Sequence, residues 1–155
     1  MKPYRIAPWL PLLASCASSP ASSDPMASKV ANLANRSVNA SSEQQAFDGL
    51  EALGPNAVPY IVGHLGDLRS LPDHAMSLSN SSPAAFEGLR HYAPATVHDA
   101  LSVILNQLTG QSFEFVYNGA TASQRKSNRV QWQAWCTKSY PEKAAICSGQ
   151  QLIFP

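Results

Sequence analysis

The sequence predicts a small, mainly helical domain with a long irregular insert, a C-terminal helix and a short extended segment. Three observations carry this expectation. Apolar residues recur at helical spacing in separate stretches, Gly and Pro punctuate the ends of those stretches, and Ser or Thr stands at several starts with Gln three residues on. At 155 residues the chain holds one domain with a real core, even after loss of an export segment. Net charge is +1 and charged residues make up 14%, about half the usual share, so the charge balance argues against a nucleic-acid partner.

The first helical pattern opens at Ser41 or Ser42 as N-cap, with Gln44 or Gln45 at the capping-box position, and places Ala46, Phe47, Leu50 and Leu53 on one face. Gly54 and Pro55 end it. A second helix begins near Asn56 and carries Val58, Ile61, Val62 and Leu65 in a stripe, with Pro59 in a first turn that tolerates its missing N–H. Residues 68–92 are rich in Ser and Pro without a sustained period, and read as a long ordered loop. From Pro94 a third helix aligns Val97, Leu101, Ile104 and Leu108 and stops at Thr109-Gly110. Phe113, Phe115 and Tyr117 then alternate before the turn signal Asn118-Gly119, which predicts an extended segment against the helices. Thr121, with Gln124 at the box position, caps a last helix running to about Thr137.

The run Ala46-Phe47-Asp48-Gly49-Leu50-Glu51-Ala52-Leu53-Gly54-Pro55-Asn56-Ala57-Val58-Pro59-Tyr60-Ile61-Val62 resembles one HEAT-type repeat, a helical hairpin whose turn reads Leu-Gly-Pro and whose second helix begins Ala-Val-Pro. Two such stripes share a core while a further element covers the remainder, because a single repeat is not stable alone. The stretch from Leu108 to Phe113 and on to Trp132-Gln133-Ala134-Trp135 resembles the closing element of some bacterial HEAT-like proteins, where an aromatic pair seals the array.

At the N-terminus, Lys2 and Arg5 precede an apolar stretch from Ile6 to Ala14 and the small residues Ser15, Cys16, Ala17 and Ser18, the order of a signal peptide. Pro8 and Pro11 interrupt that stretch, and it falls short of the roughly 20 residues that cross a bilayer as a stable helix. Leu13-Ala14-Ser15-Cys16 resembles the lipobox of bacterial lipoproteins, which implies cleavage before Cys16 and lipid on its thiol. The alternatives are an ordinary signal cut near Ala17, a chance match in an Ala/Ser-rich stretch and, from the Asn-x-Ser triplets at Asn35, Asn39 and Asn80, a glycosylated eukaryotic secreted protein. The expected organisation is a signal peptide over 1–15, the lipidated cysteine with an Ala/Ser-rich tether over 16–29, and the helical HEAT-like domain over 30–155. Ala17 after the cysteine implies, by the same resemblance, a place at the outer membrane facing the periplasm.

Three cysteines become an even pair, Cys136 and Cys147, once Cys16 is assigned to lipid. In an oxidising compartment they are expected to bridge, the alternative being two buried thiols. No metal or cofactor site is indicated. His64, His74, His91 and His98 have no ligand spacing and read as surface histidines, although Asp67, Asp73, Glu87 and Asp99 lie near them in sequence. No serine sits in a nucleophile elbow, and no Gly-rich phosphate loop occurs.

Two surfaces are candidates for contact. Phe86-Glu87-Gly88-Leu89-Arg90-His91-Tyr92 mixes aromatic and ionisable groups in the irregular segment, making Phe86, Glu87, Arg90, His91 and Tyr92 one candidate set. Its alternative is that Phe86, Leu89 and Tyr92 are core. On the last helix Arg125, Lys126 and Arg129 lie near Trp132 and Trp135, suited to an acidic partner or to stacking, against the alternative of a solvated face with packed tryptophans. The function expected is a lipid-anchored, non-enzymatic protein-binding module of the cell envelope, such as an immunity or envelope-assembly protein, with an unidentified protein as partner. The alternative is a cell-wall hydrolase that brings its His, Asp and Glu residues together.

Overall fold

The computed structural model describes residues 24–80 and 84–150. The stretch read as a signal peptide, Cys16 and the first part of the stretch read as a tether lie outside the described residues.

The first helix, α1 (Pro25–Arg36), begins inside the stretch read as tether. Asp24 is its N-cap, with Oδ1 accepting from the Met26 N–H at 2.9 Å, and Pro25 occupies the first helical position, where no N–H is needed. Composition alone hides this start, because the buried stripe of α1 consists only of Val30 and the small Ala34.

α2 (Glu43–Ala52) buries Ala46, Phe47 and Leu50, as its period requires. The capping box expected at Ser41 or Ser42 does not form. Ser42 is the N-cap residue, but its hydroxyl donates to the Arg36 carbonyl at 2.8 Å, and Gln44 reaches instead to residue 77. Gly54, at φ +69°, ends the segment, and a 3₁₀ turn at Pro55–Ala57 leads into α3 (Val58–Gly63), all six of whose residues are buried. α2 packs on α1 and on α4, described below, whereas α3 packs on α1 and on three later helices. The two helices flanking the Gly-Pro turn thus take their principal neighbours from elsewhere in the chain.

Residues 68–92, expected as an irregular loop, contain an antiparallel hairpin of β1 (Met76–Ser79) and β2 (Leu89–Tyr92), with Met76 opposite Tyr92 and Ser79 opposite Leu89. Four residues per strand are too few for a period, and β2, Leu-Arg-His-Tyr, lacks the apolar alternation of a half-buried strand. Met76 and Leu78 are buried, and β1 packs on α2.

α4 (Val97–Thr109) is the central helix: nine consecutive residues, from Val97 to Leu105, are buried. Thr96 and Asp99 form a reciprocal capping box at its start, and Gly110 closes it in the left-handed conformation. The segment after it forms no strand, contrary to the alternation of Phe113, Phe115 and Tyr117. Phe113 packs edge-on to Trp132, Phe115 is 59% exposed, and the consecutive residues Val116 and Tyr117 are both buried, which no strand permits on one face.

α5 (Ala122–Ser139) starts at the expected Thr121–Gln124 capping box and buries Asn128, Trp132 and Cys136, spaced four apart. A 3₁₀ turn at Pro141–Lys143 leads to α6 (Ala144–Cys147), which packs on α3 and α5. Cys136 and Cys147 form the predicted disulfide, with Cα atoms 5.8 Å apart. The start of α1 and the turn before α6 are tied together at Tyr60: its hydroxyl donates to Asp24, holding that carboxyl below the ordinary aspartate range, and accepts from Lys143 Nζ at 2.8 Å. Among the described residues no helix is long and apolar enough to cross a membrane.

The disulfide closes a loop of 11 residues between α5 and α6. Cys136→Ser with Cys147→Ser is expected to lower unfolding free energy by about 2–3 kcal/mol. Urea titration of the double variant against wild type measures this, and an unchanged midpoint would contradict it.

Candidate functional site

The β hairpin gathers the first candidate set. Ladder pairs in an antiparallel ribbon alternate between those that exchange main-chain hydrogen bonds and those that do not. The bond from Asn80 N–H to Gly88 O, 2.9 Å, sets this phase, because Asn80 faces Gly88 in the register that pairs Ser79 with Leu89. Ser77 and Ser79 of β1, and Leu89 and His91 of β2, therefore turn their N–H and C=O groups away from the partner strand.

On β1 three of the four outward groups are met by glutamines. Gln44 from α2 accepts from the Ser77 N–H at 3.1 Å and donates to the Ser77 carbonyl at 2.8 Å, while Gln107 from α4 donates to the Ser79 carbonyl at 2.6 Å. Gln107 also reaches Glu51 of α2, so both neighbouring helices grip one edge of the ribbon. On β2 no hydrogen bond from the described residues meets the Leu89 or His91 main chain.

Side chains complete the surface. Phe86 is fully exposed and Leu89 is 48% exposed, which excludes their placement in the core. Arg90 donates through Nε to Asn80 Oδ1 at 3.0 Å, His91 Nδ1 lies 2.9 Å from Ser77 Oγ, and half-buried Tyr92 sets its ring edge-on to Tyr117. An open groove of about 570 Å³ runs past Phe86, Glu87, Leu89, Arg90, His91 and Tyr92. All five candidates read from this segment thus share one surface.

The second set separates. Trp132 is fully buried between Phe113 and Trp135, at ring distances of 4.8 and 5.5 Å, and is a core residue rather than a contact residue. Trp135 is half-buried against Tyr140. Arg125 is bound by both guanidinium arms to buried Asp99, at 2.7 Å each. Arg129 lies over Gly66, where an added Cβ would come within 2.9 Å of its Nη1, so the glycine makes room for the guanidinium. A helix face that reads as basic and aromatic therefore spends Arg125 and Trp132 on the fold.

The histidines do not converge, and they are not all at the surface as expected. His98 is buried, with Nδ1 3.2 Å from Leu65 O and Nε2 3.2 Å from Asn128 Oδ1, because the first turn of α4 faces α5. His64 ends α3 with a buried Nε2 that has no partner among the described residues. His74 approaches the Pro94 carbonyl, and His91 lies on β2. Among the described residues no group of three or more His, Cys, Asp or Glu side chains is placed to hold a metal ion.

Sequence reasoning missed Gln44, Gln107 and Glu43 as organisers of the hairpin. Glu43 is buried at the start of α2 and accepts from the Asp73 N–H at 3.0 Å, anchoring the approach to β1, and burial raises its pKa. Gln44 stood at a capping-box position, and that local reading concealed its long-range role.

No protein-family model, no curated protein and no solved structure matches the chain.

Two consequences follow for stability. Arg125→Ala strands the Asp99 carboxylate in the core and is expected to cost about 3 kcal/mol in a denaturant titration, far more than loss of a surface ion pair. A change below 1 kcal/mol would refute that role. Burial also holds His64 and His98 below the ordinary histidine range. The unfolded chain then binds protons that the folded chain refuses, so stability is full above about pH 7 and declines below about pH 6.5, by up to about 1.4 kcal/mol per pH unit per histidine. Glu43, whose pKa is raised, acts in the opposite sense. The slope is best read in Glu43→Gln, where a flat profile from pH 7.5 to 5.5 would contradict neutral buried rings.

Proposed function

We propose that the protein is a non-enzymatic protein-binding module of the bacterial cell envelope, lipid-anchored through Cys16 at the outer membrane and facing the periplasm. Its contact surface is the hairpin strand β2 with the residues that precede it. The observation that carries this reading is Phe86 and Leu89 standing exposed beside a strand edge unmatched among the described residues, while Gln44 and Gln107 hold the opposite edge of the ribbon. Large apolar side chains displayed on a braced element suit contact with another protein, since bracing lowers the ordering cost of association. The histidines support the same reading, because His98 serves the packing of α4 on α5, and His74 and His91 bond locally at separate places. Cys16 lies outside the described residues, and the anchor rests on the lipobox resemblance together with the pairing of the other two cysteines.

The test is photo-crosslinking in intact cells from an unnatural residue at position 86, followed by membrane fractionation. A discrete protein adduct is expected in the membrane fraction, lost with Leu89→Lys, while Cys16→Ala moves the chain to the soluble fraction. A soluble wild-type chain would remove the anchor, and the lack of any adduct at position 86 would remove the contact surface.

A further inference from the structure

The reading of β2 as a contact surface leaves open how a partner is held there. We infer that the partner adds a strand: an extended segment of another protein, carrying an acidic residue, pairs antiparallel with the outer edge of β2. This rests on the proposed protein-binding role and specifies its chemistry.

The edge offers four main-chain groups unmatched among the described residues, the N–H and C=O of Leu89 and of His91, directed away from β1 by the phase of the ladder. An antiparallel segment can fill all four with two hydrogen-bonded pairs. The edge is also bounded. Beyond His91, the Ala93 N–H is taken by Asn118 Oδ1 at 2.9 Å, and before Leu89 the Glu87 carbonyl is taken by Asn80 Nδ2 at 3.0 Å. Exposed strand edges of this kind recruit extended chains, and the contrast with β1, three of whose four outward groups are covered by glutamine amides, marks the β2 edge as the one left available among the described residues.

A second copy of the same chain fits poorly. Two-fold pairing about Arg90 fills all four groups but sets Arg90 directly opposite Arg90 of the second copy, a like-charge pair. Pairing about Leu89 calls on the Glu87 carbonyl, and pairing about His91 calls on the Ala93 N–H, both already bonded. The occupant is therefore a different sequence. A carboxylate at the position facing Arg90 matches the guanidinium, whose one bond among the described residues uses Nε and leaves both terminal nitrogens to donate. The next residue of an antiparallel segment faces Leu89, close to exposed Phe86, and is best apolar. The recognised pattern is an Asp or Glu followed by an apolar residue in an extended chain.

The experiment selects linear decapeptides displayed on phage against the full chain and measures binding of a selected peptide to variants. Selected sequences are expected to be enriched in an acidic residue followed by an apolar one, and the peptide to slow amide exchange at Leu89 and His91. His91→Pro removes one outward N–H without touching the β1 ladder and should weaken binding at least tenfold. His91→Ala keeps the main chain and should bind within twofold of wild type, while Arg90→Glu should turn the preference toward basic peptides. Equal binding by His91→Pro, protection confined to amides elsewhere, failure to select any peptide, or protection of the same amides through self-association would each overturn strand addition. If an adduct still forms at position 86, the contact surface survives that failure; if it does not, both fall.

Discussion

Asp99 brings a carboxylate with no solvent exposure into the start of the central helix, and much of the surrounding architecture is the set of groups that make this tolerable. Its Oδ2 accepts from the Ala95 and Thr96 N–H groups, its own N–H donates to Thr96 Oγ1, and both oxygens are clamped by Arg125 of α5. The helix start adds a favourable dipole. A buried charge is costly unless every such partner is in place, so the carboxylate fixes at once where α4 begins and how α5 crosses it. That fixed start orders the preceding chain: Val97 and His98 donate to the Arg69 and Asp67 carbonyls, and Leu71 donates to that of Ala95. The segments entering and leaving the hairpin are thus both tied to the Asp99 corner.

A second polar chain runs through the same contact. His98 and Ser102 of α4 converge on Asn128 Oδ1, and the Asn128 amide nitrogen donates to the Glu114 carbonyl in the loop that follows α4. These groups are buried and mutually satisfied, so they determine which face of α5 turns inward in a way that apolar contact alone does not. Trp132 and Cys136 continue that face, and the disulfide then carries the constraint to α6. The helical body is consequently rigid on the side from which the loop bearing Tyr117 reaches Tyr92 of the hairpin.

What was legible in the sequence follows interaction range. The Thr121–Gln124 capping box, the Gly110 stop and the stripes of α2 to α4 are encoded within a few residues of where they act, and they read correctly. The whole of α1 was missed because its buried stripe is short and its cap lies in Ser/Ala-rich surroundings. The hairpin was missed because its stability is borrowed: β1 is held by Gln44 from more than thirty positions upstream and Gln107 from nearly as far downstream. The candidate surface around Phe86 was visible as composition. Its organisation as a strand edge was not, since the register depends on a main-chain bond at Asn80 that no side-chain pattern announces. Conversely, the basic and aromatic face of α5 looked like a surface because Arg125 and Trp132 are residue types common at interfaces, while their partners, Asp99 and Phe113, come from other segments.

A two-stranded ribbon of four residues per strand is not stable alone in water, so its presence on a helical body needs a cause. Met76 and Leu78 supply apolar anchoring, and the two glutamines supply the hydrogen bonds that a third strand would otherwise give. This arrangement is asymmetric in its effect. Side-chain amides from α2 and α4 reach the edge facing those helices, so stabilising the ribbon this way covers most of the β1 edge and leaves β2 as the outward strand. The open edge at Leu89 and His91 is therefore a direct consequence of how the helices hold the hairpin, and its four main-chain groups, unmatched among the described residues, are displayed at a position fixed by the core.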